Sequence, residues 1–264
     1  MNFSKPEVRR ARPALGTILR LHLWDDDASL LGSVSDEAFA RAEALEKIFS
    51  KFRADSDLSR VNQTPIGRET RVTPEFRGAL ILALEVWRTS KGAFTPFNGG
   101  SISWTRSPVV VTRDGVLKIS ECTLDLSGIA KGFIVDELAD LIRDRLPTAS
   151  AVIDAGGDLR FVNCSERPAH VRLASQKLRA LQLSRDSVAT SALTEWLHDP
   201  QSSTVYHEPP VHSADYTVSA VADTCAVADA LTKVGWFAPV ETRLACAKHF
   251  GAEILVMSAN GEPQ

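Results

Sequence analysis

The sequence predicts a protein that mixes α-helices and β-strands within one globular chain. Apolar residues recur at helical spacing in several segments, of which residues 36–52 and 73–90 are the clearest. Elsewhere apolar and polar residues alternate, as in residues 15–24 and 216–222. Asp114-Gly115 lies in the middle of residues 109–120, a pattern typical of a tight hairpin. Together these observations predict a mixed helix-and-strand fold.

Length and composition limit the class of protein. The chain has 264 residues, of which 44% are hydrophobic and 24% charged, as in soluble proteins with one large domain or two small ones. A net charge of -3 without clustered basic residues predicts no nucleic-acid partner. No apolar run has the length of a membrane span, and the polar N-terminus lacks the apolar segment of a signal peptide. We therefore expect a cytoplasmic protein without a membrane partner.

The four cysteines, Cys122, Cys164, Cys225 and Cys246, lie far apart in the chain and form no CxxC pair. This spacing indicates neither a zinc site nor a redox pair, and predicts inert thiols in a reducing compartment. Residues 1–13 are expected to form a flexible leader before a single domain of residues 14–264.

The first half of the chain contains two predicted helices and two irregular segments. The second helix begins at Thr73-Pro74-Glu75, where a capping hydroxyl, a proline and an acid follow one another, and it ends at Lys91-Gly92. Residues 52–62 are polar and turn-forming, and by themselves predict a loop. Residues 92–100 are rich in glycine and proline and predict an irregular loop that either binds a ligand or only connects two elements.

The second half contains more strands and two further helices. Residues 151–161 form a predicted strand that Gly156-Gly157 interrupts, as at a bulge or a close backbone approach. The remaining predictions are strands at 170–183, 187–191, 216–222 and 253–257 and helices at 225–237 and 241–250.

The predicted functional site depends most on the segment Leu124–Asp136, with the sequence LDLSGIAKGFIVD. It predicts a short strand, a glycine turn at Gly128, and a helix that begins near Ala130 and Lys131. A helix N-terminus has open N–H groups and a positive dipole end, which suit a phosphate or pyrophosphate. A plain turn with one surface lysine is the alternative.

Seven segments of the chain resemble, in order, those of the FAD:protein FMN transferases of the ApbE type. The most specific is residues 124–136, which resembles the family's L-D-L-G-G-I-A-K-G-Y-x-V-D. Residues 52–62 resemble Y-R-x-D-S-E-I-S-R-x-N, and residues 187–191 resemble S-V-A-T-S-G. The other four segments are residues 15–17, 92–96, 153–158 and 218–231.

This resemblance implies an α+β fold with largely antiparallel sheets, packed helices and two lobes, and a cleft that binds FAD. It also implies a magnesium-dependent reaction in which FAD is split, AMP is released, and FMN is attached by a phosphoester to a Ser or Thr of an acceptor protein. Such phosphoryl transfer depends on positioning and on neutralisation of charge.

The resemblance also implies roles for individual residues. Asp229 and His207 are the implied catalytic residues. The implied magnesium ligands are Ala130 (through its carbonyl), Asp229 and Thr232. The implied FAD contacts are Ala93, Phe94, Thr95, Asp125, Lys131, Gly132, Gly156, Gly157 and Ser191.

The chain departs from the family pattern at four places. Thr95 replaces an aspartate, and Ala192 replaces a glycine. Lys233 replaces a threonine four residues after Asp229, so that either Lys233 supplies part of the metal's charge or Thr232 reaches the ion. The family's D-P-R-T-G is not present after His207.

A structural role is the alternative at several of these positions. Lys131 could be a surface lysine, His207 an exposed loop residue, and Asp229 a helix cap. Gly156 and Gly157 could form only a bulge. For the whole protein, the alternatives are an FAD pyrophosphatase, in which water replaces the acceptor hydroxyl, and a flavin-binding protein that has lost catalysis.

Overall fold

A computed structural model describes residues 5–98, 102–192 and 210–262. The helices within these ranges are α1 (Leu31–Phe49), α2 (Asp57–Gln63), α3 (Pro74–Thr89), α4 (Ala130–Arg145), α5 (Cys225–Phe237) and α6 (Val240–His249). The strands are β1 (Glu7–Ala14), β2 (Thr17–Trp24), β3 (Glu69–Arg71), β4 (Phe97–Asn98), β5 (Val109–Val111), β6 (Gly115–Lys118), β7 (Thr123–Leu124), β8 (Ser150–Ala155), β9 (Asp158–Val162), β10 (Pro168–Arg172), β11 (Leu178–Gln182), β12 (Ser187–Ala192), β13 (Thr217–Ala222) and β14 (Glu253–Met257).

The largest sheet has seven strands in the order β1-β2-β8-β9-β12-β13-β14. Neighbouring strands in this sheet are antiparallel. Helices α1, α4 and α5 pack on one face. Successive side chains of a strand point to opposite faces of the sheet, so every second residue of β2 can face these helices. Leu19, Leu21 and Leu23 do so and are buried. The predicted α+β fold with largely antiparallel sheets is confirmed.

A second apolar core covers part of the other face. The hairpin β10–β11 contributes Ala169 and Val171, which pack with Phe161, Val188 and Met257 of the sheet. Residues 170–183 were predicted as one strand, but they include the turn of this hairpin. The predicted hairpin at residues 109–120 is present as β5 and β6, with Val111 opposite Val116.

The N-terminal segment differs from the expected leader. Residues 7–14 form β1, which pairs along its whole length with β2. Arg10 and Arg12 each form an ion pair with Asp36 of α1, at 2.6 Å. Charged side chains are common on edge strands, where they discourage pairing with other chains.

The segment 52–62 also differs from its prediction as a loop, since residues 57–63 form α2. Ser56 caps this helix by accepting a hydrogen bond from the Ser59 N–H. Among the described residues, no helix combines the length and the apolar character needed to cross a membrane.

Candidate functional site

The N-terminus of α4 is built by the turn that follows β7. The Asp125 carboxylate accepts a hydrogen bond from the Ser127 N–H at 2.8 Å, and this bond shapes the turn. Ile129 precedes the helix without a capping bond from its side chain, which has no polar atom. The first turn of α4 then carries Ala130, Lys131 and Gly132, as predicted.

An ion pair joins the first turn of α4 to the start of β9. Lys131 Nζ lies 3.0 Å from Asp158 Oδ2. Burial and the nearby Asp229 carboxylate raise the pKa of Asp158 to about 7. Burial by itself would lower the pKa of Lys131, but the charges of Asp158 and Asp229 outweigh it and raise that pKa. Lys131 is therefore a paired, partly buried cation rather than a free surface lysine.

A second ion pair lies within α5, next to the first. The ammonium of Lys233 contacts Asp229 Oδ1, four residues earlier, and also donates to the Asp229 carbonyl at 3.1 Å. The Thr232 hydroxyl donates to the same carbonyl at 2.7 Å. Across the helix interface, the Gly132 N–H donates to Asp229 Oδ2 over 3.4 Å. Asp229 thus places an anionic group at the N-terminus of α4, where a helix favours one.

The two helices meet because Gly132 has no side chain. A Cβ atom at this position would lie 2.5 Å from the Cys225 carbonyl oxygen, closer than real contacts allow. Asp136, one turn further along α4, accepts hydrogen bonds from the Cys225 and Ala226 N–H groups, both at 2.8 Å. This carboxylate caps α5 from the neighbouring helix.

Asp136 is itself in a buried environment. Arg160 Nη1 lies 3.6 Å from Asp136 Oδ1 and donates to the Ser187 hydroxyl at 2.9 Å. Burial raises the pKa of Asp136 to about 6, although the Ala226 and Cys225 N–H groups and the Arg160 charge act in the opposite direction. These contacts tie α4, α5 and the central strands together.

The Gly156-Gly157 turn places Asp158 opposite Lys131. Both glycines have positive φ angles, +68° and +112°. The Gly156 N–H donates to the Asp154 carboxylate at 2.9 Å. The Gly157 carbonyl accepts from the Thr190 N–H at 3.1 Å, which fastens the turn to β12. The glycines have a structural role here, and a contact with a ligand stays a prediction.

The loop at residues 92–96 makes structural contacts. The Thr95 hydroxyl accepts from the Phe97 N–H at 3.2 Å, and Phe94 is buried. The Asp125 N–H donates to the Pro96 carbonyl at 2.9 Å, so that the loop lies against the turn that leads into α4. Ala93 belongs to the same loop and is partly exposed. The flavin contacts implied for these residues stay predictions.

The two remaining predicted positions are Ser191 and His207. The Ser191 carbonyl accepts a hydrogen bond from Trp236 Nε1 at 3.3 Å, which joins β12 to α5. His207 lies outside the described residues.

The segment with residues 52–62 supports the strand that leads into the site. Asn62 donates to the Leu124 carbonyl at 2.9 Å and accepts from the Leu124 N–H at 2.7 Å. Asp57 accepts from the Thr73 N–H and hydroxyl, both at 2.7 Å. The segment therefore holds β7, and with it the turn before α4.

The residues implied as magnesium ligands do not fit a metal ion in this arrangement. Magnesium requires several oxygen ligands in a near-octahedral geometry. Here the ammonium of Lys233 contacts Asp229 Oδ1, so a positive charge lies beside the carboxylate that would bind the ion. Among the residues that the structure describes, no three His, Cys, Asp or Glu side chains are grouped as metal ligands would be.

The structure therefore places Lys131 and Gly132, at the start of α4, beside Asp229 of α5. The ligand and cofactor roles implied for Ala130, Lys131, Gly132, Asp229 and Thr232 stay predictions. Sequence reasoning gave no role to Asp158 and Asp136, although both lie within the segments that carry the resemblance. The signal that the sequence offered for Asp158 was its position directly after the Gly156-Gly157 pair.

The sequence model of the ApbE family matches residues 15–110 and 102–256 of this chain. A search of curated protein sequences finds no match. Similar solved structures include an ApbE protein from Thermotoga maritima, with 20% identity and a TM-score of 0.78 over 98% of this chain and 96% of that one.

Two further similar structures have functional descriptions. The flavinyl transferase ApbE of Pseudomonas stutzeri has 19% identity and a TM-score of 0.77, over 100% of this chain and 94% of that one. The flavin transferase ApbE of Vibrio cholerae has 18% identity and a TM-score of 0.74, over 97% of this chain and 94% of that one. At these identities, the similarity shows a shared fold.

Proposed function

Because the chain belongs to the ApbE family, we propose that it is a flavin transferase. It moves FMN from FAD to a Ser or Thr hydroxyl of an acceptor protein, with release of AMP. The descriptions of the Pseudomonas stutzeri and Vibrio cholerae structures as flavin transferases support this assignment. The acceptor protein and the cytoplasmic location stay predictions.

The observation that carries the proposal is the pair of lysines at the meeting point of α4 and α5. The carboxylates of Asp158 and Asp229 are buried, with 2% and 3% of their side-chain surface exposed. The side chains of Lys131 and Lys233 are 31% and 19% exposed. The lysines are thus the more accessible members of the two ion pairs, and ammonium groups bind anions such as a pyrophosphate through charge-assisted hydrogen bonds.

In the proposed reaction, the acceptor hydroxyl oxygen bonds to the phosphorus on the FMN side of FAD. The bond from that phosphorus to the bridging oxygen breaks, and AMP leaves with this oxygen. The hydroxyl proton passes to a base, for which His207 is the predicted residue. Lys131 neutralises the charge on the phosphoryl oxygens and fixes their position, which is the main contribution that a protein makes to this chemistry.

The resemblance implies magnesium dependence, but the implied ligands do not fit the ion, so no step of the proposed reaction passes through a metal ion. The remaining contacts implied for Ala93, Phe94, Thr95 and Asp125 are proposed for the flavin half of FAD. Asp125 is buried and its carboxylate is engaged in the turn, so it would act mainly by shaping this part of the cleft.

The test follows both halves of FAD. The purified protein is incubated with FAD, with MgCl2 or with EDTA, and AMP is measured by chromatography. A double variant, Lys131→Met with Asp158→Asn, removes one cation and one anion, so that no uncompensated charge stays buried. Lys248→Thr, which changes an exposed lysine of α6, is the matched control.

We expect AMP from the wild type and from the control, and loss of AMP in the double variant. The flavin identifies the reaction: FMN bound covalently to a protein supports the transferase, whereas free FMN in equal amount to AMP shows a pyrophosphatase. FAD binding without AMP under any condition, in the presence of proteins with accessible Ser and Thr, would favour a binding protein. Equal AMP from the double variant would remove Lys131 from the mechanism.

A further inference from the structure

Lys233 occupies the part of the site where a metal ion would contact Asp229. Its ammonium contacts both a carboxylate oxygen and the carbonyl oxygen of that same residue. The carboxylate oxygen belongs to a residue implied as a magnesium ligand, and hard cations prefer such oxygen atoms. A divalent cation at Asp229 would lie beside a positive charge, unless Lys233 moved away.

Each lysine of the site is already paired with a carboxyl group without a metal ion. Lys131 lies against Asp158, and Lys233 lies against Asp229. The carboxylate side chains are almost fully buried, whereas the two lysine side chains are partly exposed. This difference favours the approach of an anion over that of a cation, which would need accessible oxygen ligands.

We infer that Lys233 is the resident cation of this site and takes the place of a divalent metal ion. Lys233 neutralises Asp229 and, with Lys131, contacts the pyrophosphate of FAD, so that FAD binding needs no divalent metal. The identity of the ligand rests on the proposed function. The absence of metal binding at Asp229 does not, and can be tested on the protein without FAD.

The first measurement is metal binding by the protein alone. Mn2+ prefers the same hard oxygen ligands as magnesium, and its free concentration can be followed by electron paramagnetic resonance. The wild type, Lys233→Thr and Lys248→Thr are titrated with Mn2+. Each is repeated with Asp229→Asn, which identifies any ion bound at Asp229.

The second measurement is FAD affinity, from flavin fluorescence, in MgCl2 and in EDTA. We expect the wild-type affinity to agree within about twofold in the two buffers. Lys233→Thr should bind FAD about tenfold or more weakly in EDTA, since a charge-assisted contact is lost, and MgCl2 should restore part of the affinity. Lys233→Arg keeps the charge and should bind FAD in EDTA.

The inference is supported if the wild type leaves Mn2+ free while Lys233→Thr binds one ion that Asp229→Asn abolishes. It is overturned if the wild type binds such an ion, if it needs MgCl2 to bind FAD, or if Lys233→Thr binds FAD in EDTA as tightly as the wild type. If Lys233→Thr does not fold, the wild type and Lys233→Arg decide. A wild type that binds FAD under neither condition refutes the proposed function, and the Mn2+ titration still decides whether Asp229 holds a metal.

Discussion

Replacement of Gly132 by alanine tests how closely α4 and α5 must approach to form the site. A Cβ atom would lie 2.5 Å from the Cys225 carbonyl oxygen and 2.7 Å from its carbon. Overpacking costs about 1–3 kcal/mol, and a clash with backbone atoms belongs at the upper end because the backbone cannot rotate away. Alanine regains about 1 kcal/mol of helix propensity. We expect a net loss of about 1–2 kcal/mol in the free energy of unfolding.

Gly78→Ala is the matched control, since Gly78 also lies within a helix, α3. Its added Cβ atom would meet the Phe133 ring at 3.5 Å, an ordinary contact. Here the gain in helix propensity is not opposed, and we expect stability to rise by up to about 1 kcal/mol. The two variants should therefore differ in sign.

The assay is urea unfolding of both variants, followed by FAD titration. Gly132→Ala should also bind FAD more weakly, because separation of the helices moves Lys131 away from Lys233. A Gly132→Ala variant as stable as Gly78→Ala, with wild-type FAD affinity, would refute the argument that this glycine sets the geometry of the site.

Three further predictions concern single contacts. Asn62→Ala should lower the free energy of unfolding by about 1–3 kcal/mol, because it leaves the Leu124 N–H and carbonyl without their side-chain partner. Urea unfolding measures this loss, and an unchanged urea midpoint would contradict it. FAD at about 100 times its Kd should stabilise the wild type by about 2.7 kcal/mol in thermal unfolding. At the same FAD concentration, Lys131→Met should be stabilised much less, and equal stabilisation would argue against a contact between Lys131 and the phosphates. The pKa of Asp136 rises from 3.8 to about 6 on folding, so the folded state holds this proton more tightly than the unfolded state. As pH rises from about 4 to above 6, the free energy of unfolding of the wild type should therefore fall by up to about 3 kcal/mol relative to that of Asp136→Asn. A difference between the two proteins that stays constant with pH would refute the shift.

The sequence predicted best those elements whose signals are local. The helix that begins at Thr73 has its cap, its proline and its apolar spacing within one segment, and α3 begins at Pro74 as expected. The short helix α2 could not be predicted in this way, since seven residues are too few for a stable isolated helix. It depends instead on distant contacts, from Asp57 to Thr73 and from Asn62 to Leu124.

The strand β1 was missed for a related reason. Its arginines resemble a polar leader in the sequence, but two of them form ion pairs with Asp36, which lies more than twenty residues further along the chain. Edge strands often carry charged side chains, and those of β1 are exposed or only partly buried, so the sequence of β1 has a weak apolar pattern.

At the site, motif resemblance located the residues but not their partners. Lys131 and Asp229 were both singled out, yet their closest side-chain partners in the structure are Asp158 and Lys233. The pairing of Lys131 with Asp158 depends on the positive φ angles of the turn before β9, which bring that strand beside α4. The pairing of Asp229 with Lys233 follows helical spacing, and was accessible from the sequence.

The balance of these charges connects the stability of the protein to its proposed activity. A buried carboxylate without a partner costs several kcal/mol, so Asp158 and Asp229 require positive charge whether or not a ligand is present. Lysine side chains supply it permanently, whereas a metal ion would supply it only when bound. A bound pyrophosphate would share these ammonium groups with the carboxylates rather than displace them, because each ammonium has three N–H donors. The site can therefore be fully formed before FAD arrives, and binding energy is not needed to assemble it.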